Sequence, residues 1–186
     1  MANIFQQNKE ILCGKWIDSV FRTYPLETTA ILRTGKDRFT NPVGYATRES
    51  LSLIYDLISG VDMDESDITQ ALEAFVRIRA VQDFTPSKAL GVLYQIKPIL
   101  RDFVKQLPKG VDDFELFELL RDSEDRIDTL ALLAFDLYVE FKNVMYRGNI
   151  DEIRRKYKNI ERWIATQGMD GVIPADECSG DDAGNK

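Results

Sequence analysis

"DDFELFELLRDSEDRIDTLALLAFDLYVEFKNVMYRGNIDEIRRKYKNIERW", residues 112–163, decides the fold. Apolar residues recur along it at helical spacing, and the strict alternation of a half-buried strand is missing. Ile127, Leu130, Ala131, Ala134, Leu137, Tyr138, Phe141 and Met145 cover so much of the circumference that this helix is expected in the centre of a bundle, flanked on two sides. Ile153, Tyr157, Ile160 and Trp163 continue the pattern. Whether Gly148-Asn149 breaks the helix is left open, since a mid-helix glycine costs only about 1 kcal/mol.

Working outward, almost every segment repeats the helical period, which makes the class all-α: a single-domain helical bundle over residues 1–167 with a flexible acidic tail, 168–186. Ile4, Phe5, Leu12, Trp16, Val20, Phe21 and Tyr24 share the face of a first helix that Pro25 ends. A short piece, Leu26 to Arg33, follows. Asn41 suits an N-cap and Pro42 the first helical position, so "KDRFTNPVGYATRES" (Lys36 to Ser50) opens a helix that Gly60 stops. Asp64 caps the next helix, and Thr85-Pro86 opens another that Pro98 should kink or divide.

A chain of 186 residues is near one domain, and 44% apolar with 30% charged residues is ordinary for a soluble globular protein. In the tail, Asp170, Asp176, Glu177, Asp181 and Asp182 stand against Lys186 without an aromatic residue, a composition that cannot offset ordering. A net charge of -7 argues against binding nucleic-acid phosphates. The longest fully apolar run, Leu130 to Phe135, is far short of the ~20 residues that span a bilayer, so membrane insertion is not expected. The N-terminus carries no secretory pattern, and Cys13 and Cys178 are poor material for a disulfide. Together these features suggest a cytoplasmic protein.

The chain has no histidine. That removes an imidazole base, a haem-ligating histidine and a His-containing zinc site, and no nucleophile-and-base pair can be assembled. No enzyme activity, cofactor or metal is expected. "DMDESD", Asp62 to Asp67, invites a metal reading but lacks the order of ligands of a calcium loop, and reads better as a solvated helix start. Asp136, alone in "LALLAFDLYV", is either a buried acid or, as the better reading, faces out or meets an arginine.

Two stretches hold the candidate positions. In "VRIRAVQDFTPS", Val76 to Ser87, Arg77 and Arg79 sit in an apolar helix end and Asp83 lies four residues beyond Arg79. An ion pair closing a corner between helices is the plainer reading; a guanidinium aimed at an anionic ligand or partner is the other. In "KDRFTN", Asp37 and Arg38 stand beside Phe39 at a helix N-terminus that could receive an anion.

"DRFTNPVG" (Asp37 to Gly44), "RIRAVQDFTPS" (Arg77 to Ser87) and "WIDSVFRTYPLET" (Trp16 to Thr28) resemble the RsbT co-antagonist RsbRD N-terminal domain family. The likeness covers about residues 10 to 165. It implies a helical, non-haem, globin-like sensory domain that acts by protein-protein contact, as a possible homodimer. Its signature positions here are Asp37, Arg38, Phe39, Asn41, Pro42, Arg77, Arg79, Gln82, Asp83, Phe84 and Pro86. Related stressosome proteins fuse such a domain to a STAS domain that engages the RsbT kinase. After Trp163 only the acidic segment remains, so that contact is not expected of this chain. Stand-alone relatives are associated with membrane electron-transfer complexes of sulfite reduction, which implies a partner in signalling or in such a complex. Sensing of a small anionic ligand is the alternative.

Overall fold

The computed structural model describes residues 3–34, 37–82, 84–108 and 113–166, and its regular elements are all helical among these. The expected tail, 168–186, lies outside the described residues. In order come α1 (Ile4–Gln7), α2 (Lys9–Phe21), α3 (Leu26–Thr34), α4 (Pro42–Ile58), α5 (Glu65–Ala80), α6 (Pro86–Leu90), a 3-10 turn (Gly91–Gln95), α7 (Ile96–Lys105) and α8 (Asp113–Thr166). The chain divides into two units, Met1–Asn143 and Val144–Lys186.

In the first unit Phe5, Leu12, Trp16, Leu51, Tyr55, Leu72, Phe75, Leu93, Ile96 and Ile127 are buried in one core. Fully burying a side chain of this kind contributes about 1.5–3 kcal/mol. The polar ends of its aromatics are satisfied: Trp16 Nε1 donates to the Val92 carbonyl at 2.8 Å and Tyr55 Oη to that of Phe5 at 2.9 Å. The end of α4 is tied down from two sides. Asn3 Nδ2 and Gln6 Nε2 donate to the Ser59 carbonyl at 2.6 and 3.1 Å, and Arg126 Nη1 to that of Ile58 at 3.3 Å. Gly60 follows at φ 84°, where a side chain would be strained.

The N-caps at Asn41 and Thr85 form as expected, each followed by proline at the first helical position. Three expectations about where helices begin and end need correction. The first helix is interrupted at Asn8, whose side chain bonds back to the Ile4 carbonyl at 2.9 Å, and α2 closes at Phe21, before Pro25 acts. Asp64 sits at the cap position of α5 without a capping hydrogen bond, so its contribution is that of an acid near a helix start. Pro98 does not kink a helix: the division falls upstream, in the 3-10 turn, and leaves Pro98 as third residue of α7. In that first turn the missing N–H has no intrahelical partner to lose. Pro98→Ala is therefore expected to shift stability by less than about 1 kcal/mol in a urea titration, against the ~3 kcal/mol that a mid-helix proline involves.

Up to Asn143, α8 turns one face to the core: Ile127, Leu130, Ala131, Ala134 and Tyr138 are buried. Arg101 grips Glu124 with Nε–Oε1 2.6 Å and Nη2–Oε2 2.9 Å, and Lys97 meets Asp128 at 2.7 Å, fixing α7 against it. The expected placement in the centre of the bundle does not hold, because Leu132 is 68% and Phe135 49% exposed. Asp136 faces out, as the better sequence reading has it.

In the second unit the helix passes through Gly148-Asn149 unbroken. Every side chain from Tyr146 to Trp163 is exposed. Its ion pairs are local, Lys156–Glu152 at 2.7 Å and Arg154–Asp151 at 3.8 Å.

Candidate functional site

The two candidate stretches build two corners, and both brace the C-terminal end of α2. In the first, Asp37 Oδ2 accepts from the backbone N–H of Phe39 and Thr40 at 3.2 and 3.1 Å, and the Asp37 carbonyl accepts from Asn41 N at 3.0 Å. This turn leaves Arg38 exposed and Phe39 92% exposed. Asn41, by contrast, is buried. Its Oδ1 accepts from Gly44 N at 2.9 Å, and its Nδ2 donates to the carbonyls of Ile31 and Leu32, each at 3.1 Å. Arg48, one face of α4 further on, donates to the Leu32 carbonyl and to that of Arg33, and stacks over Phe21 with its guanidinium carbon 5.0 Å from the ring centre. The last carbonyls of α3, which no helix bond reaches, are closed by these two side chains. Pro42 sets the backbone angle at the start of α4 and is exposed.

In the second corner Arg79 is fully buried. Its Nε donates to the Ala89 carbonyl at 3.2 Å, Nη2 to that of Lys88 at 3.0 Å and Nη1 to Thr23 Oγ1 at 3.1 Å. The guanidinium lies 4.1 Å from the centre of the Phe84 ring and 5.2 Å from that of Tyr24. Burial lowers its pKa, and the neighbouring phenols of Tyr24 and Tyr138 oppose that shift. Tyr138 Oη donates to the Phe84 carbonyl at 3.1 Å, pinning α8 to the same corner. Thr85 and Pro86 open α6 beside it. Arg77 is exposed, with its guanidinium 5.0 Å from the Phe141 ring centre. Gln82 is half-buried and its Oε1 has no hydrogen-bond partner among the described residues. Asp83, the expected partner of Arg79, lies outside the described residues; the carbonyls of Lys88 and Ala89 supply the acceptors seen.

The candidate positions thus separate by role. Asn41, Arg79 and Phe84 are spent on internal contacts, while Asp37, Arg38 and Phe39 form an exposed tip. Sequence reasoning missed a third feature. An apolar groove of about 580 Å³ lies between the α6–3-10 segment and α8, lined by Pro86, Leu90, Tyr94, Ala131, Leu132 and Phe135. Its signal was the over-wide apolar circumference of α8, which marks an exposed groove wall here rather than a second buried face.

The site offers little covalent chemistry. Cys13 is buried and burial pushes its thiol up to about 11. The folded state therefore favours the protonated thiol. Stability from this group is fully present below the free-thiol value of 9.0 and is lost as pH rises from there through about 11. Burial also raises the Tyr55 phenol, which adds to the same alkaline loss. Accordingly, a thiol reagent at pH 8 is expected to label Cys13 only on unfolding, and the urea midpoint to fall between about pH 9 and 11. Among the described residues no group of three or more His, Cys, Asp or Glu side chains could hold a metal ion. None of the described helices is long and apolar enough to cross a membrane.

In this all-α domain arginine and asparagine side chains lock helix corners and leave a loop tip and an apolar groove exposed. The chain belongs to the family of the RsbT co-antagonist protein rsbRD N-terminal domain, which matches residues 10–150. This assigns it to a regulatory domain family. No curated protein and no solved structure matches the chain, so a globin-like arrangement rests on the resemblance alone.

Proposed function

We propose that the chain is a non-enzymatic, cytoplasmic regulatory domain that acts by binding another protein, with the tip Asp37-Arg38-Phe39 as its recognition element. One observation carries this reading: a phenylalanine 92% exposed, on a turn that Asp37 fixes by two backbone hydrogen bonds. An aromatic beside an arginine, held rigid before binding, is the composition that dominates binding energy at protein interfaces. The partner belongs to a stressosome-type signalling assembly or, by the association of stand-alone relatives, to a membrane electron-transfer complex. Affinity capture with the intact chain tests this. The expected result is a reproducible partner that is lost with Phe39→Ser while the circular dichroism of the variant matches the parent. Equal recovery by parent and variant would remove the tip from the function.

A second reading, sensing of a small anion, draws on Arg79, a buried guanidinium with no carboxylate partner among the described residues. Selective ligand binding would raise the melting temperature by mass action. A thermal-shift panel of inorganic and carboxylate anions decides it, and the absence of any selective shift removes this reading.

A further inference from the structure

One corner of the first unit gathers positive charge on aromatic rings. The Phe84 ring takes the Arg79 guanidinium at 4.1 Å and Lys88 Nζ at 5.1 Å from its centre. The Phe84 carbonyl accepts from Tyr138 Oη at 3.1 Å, and the Tyr138 ring in turn carries Lys142 Nζ at 5.7 Å. Phe141, on the next turn of α8, carries Arg77 at 5.0 Å. Elsewhere on the surface cations meet carboxylates: Arg22 and Arg33 share Asp18, each at 2.6 Å, and Arg101 grips Glu124. None of the four cations of this corner forms an ion pair among the described residues. A ring face holds a cation without neutralising it.

Two carboxylates stand close along the chain, Glu73 one turn before Arg77 and Asp83, which lies outside the described residues. Asp136 and Glu140 fall two residues before Tyr138 and Lys142, a spacing at which helical side chains do not face each other. Four cations against two carboxylates leave a local excess of two positive charges, in a chain whose net charge is -7.

We propose that this corner docks an acidic protein segment, one that presents several Asp or Glu side chains in succession. Charge complementarity selects the occupant. Arg77 and Lys88 are exposed and Lys142 is half-buried, while the fully buried Arg79 adds its charge from below. The three reachable cations come from α5, α6 and α8 and lie against different rings, so they do not converge on one small anion. An extended segment can meet them all. A nucleic-acid backbone needs clustered cations along its track, and the net charge of -7 opposes it. Rim cations of this kind act chiefly on the association rate and its salt dependence. The inference goes beyond the recognition tip and does not depend on it.

The test uses a fluorescein-labelled oligo-glutamate peptide, followed by anisotropy against the full chain at low salt. Net repulsion works against this probe, so binding reports a local patch. The peptide is expected to bind, to weaken as sodium chloride is added, and to lose about tenfold in affinity with Arg77→Gln, Lys88→Gln and Lys142→Gln combined. The pair Arg77→Gln with Lys88→Gln, both at exposed positions, should retain the parent circular dichroism and still weaken binding several-fold. Arg154→Gln with Arg155→Gln and Lys158→Gln, on the second unit, should leave binding unchanged. No binding at low salt, or equal loss in the second-unit variant, would overturn the proposal. So would displacement by sulfate beyond that of chloride at equal ionic strength, which would assign the corner to small anions, or equal affinity for a single-stranded oligonucleotide lost in the same variants. Phe39→Ser should leave peptide binding unchanged, so failure here does not touch the recognition tip.

Discussion

Arg79→Ala is expected to destabilise the domain by about 4 kcal/mol. Two effects add. The substitution empties the space of one of the largest fully buried side chains, and it leaves the Lys88 and Ala89 carbonyls without the donors that now satisfy them. A buried group stripped of its partner costs about 1–3 kcal/mol, and the cavity adds a comparable amount. For a chain of this length the melting temperature should fall by roughly 8–15 °C. Arg79→Met separates the two effects, because it refills the volume without restoring a donor. It should recover about half of the loss in a thermal or urea titration. If Arg79→Met matched the parent, the hydrogen bonds of this corner would be of no account and packing alone would explain the burial of the arginine.

The second large effect is predicted at a residue with no side chain. A Cβ on Gly44 would lie 2.3 Å from Asn41 Nδ2 and 2.7 Å from its Cγ. Real Cβ atoms do not approach so closely, and the obstacle is a buried side chain held by three hydrogen bonds. Gly44→Ala must therefore turn Asn41 out of place, removing the cap of α4 and uncovering the last carbonyls of α3 together. Alanine gains about 1 kcal/mol in helix propensity, while loss of the cap and two carbonyl contacts costs about 3–4 kcal/mol. The net expectation is a loss of about 2–3 kcal/mol, read as a lower urea midpoint at an unchanged slope. Asn41→Ala should show the full loss of about 3–4 kcal/mol, and Gly44→Ala in the Asn41→Ala background should recover about 1 kcal/mol, since the clash has gone and only the propensity gain remains.

Much of this was legible in the sequence, and the exceptions have physical reasons. Helix starts at Asn41-Pro42 and Thr85-Pro86 could be read because cap and proline act locally, within one turn. The stop at Gly60 was legible for the same reason. Periodicity also placed Ile127, Leu130, Ala134 and Tyr138 on a buried face of α8. What periodicity does not give is the number of neighbours a helix meets. The excess of apolar residues at Leu132 and Phe135 reads equally as a second buried face or as an exposed one, and only the packed structure separates them. The role of Pro98 was misread because its effect depends on where the preceding helix ends, and the 3-10 turn at Gly91–Gln95 has no strong local signal.

For the candidate residues, sequence spacing suggested an arginine and a carboxylate four residues apart. Asp83 lies outside the described residues, and the contacts seen at Arg79 run to carbonyls on α6 and to Thr23 beyond α2, partners 9, 10 and 56 residues away. Such contacts leave no periodic trace. The resemblance singled out Arg38, Phe39, Asn41 and Arg79 as one set, whereas the fold assigns the first two to the surface and the last two to the interior.

That division of labour is the central claim, and side-by-side urea unfolding of four variants tests it most directly. Gly44→Ala and Arg79→Ala should fall well below the parent midpoint, while Arg38→Ala and Phe39→Ser should coincide with it to within about 0.5 kcal/mol. A midpoint for Phe39→Ser or Arg38→Ala as low as that of Gly44→Ala would contradict the account, because the tip would then be holding the fold together instead of facing a partner.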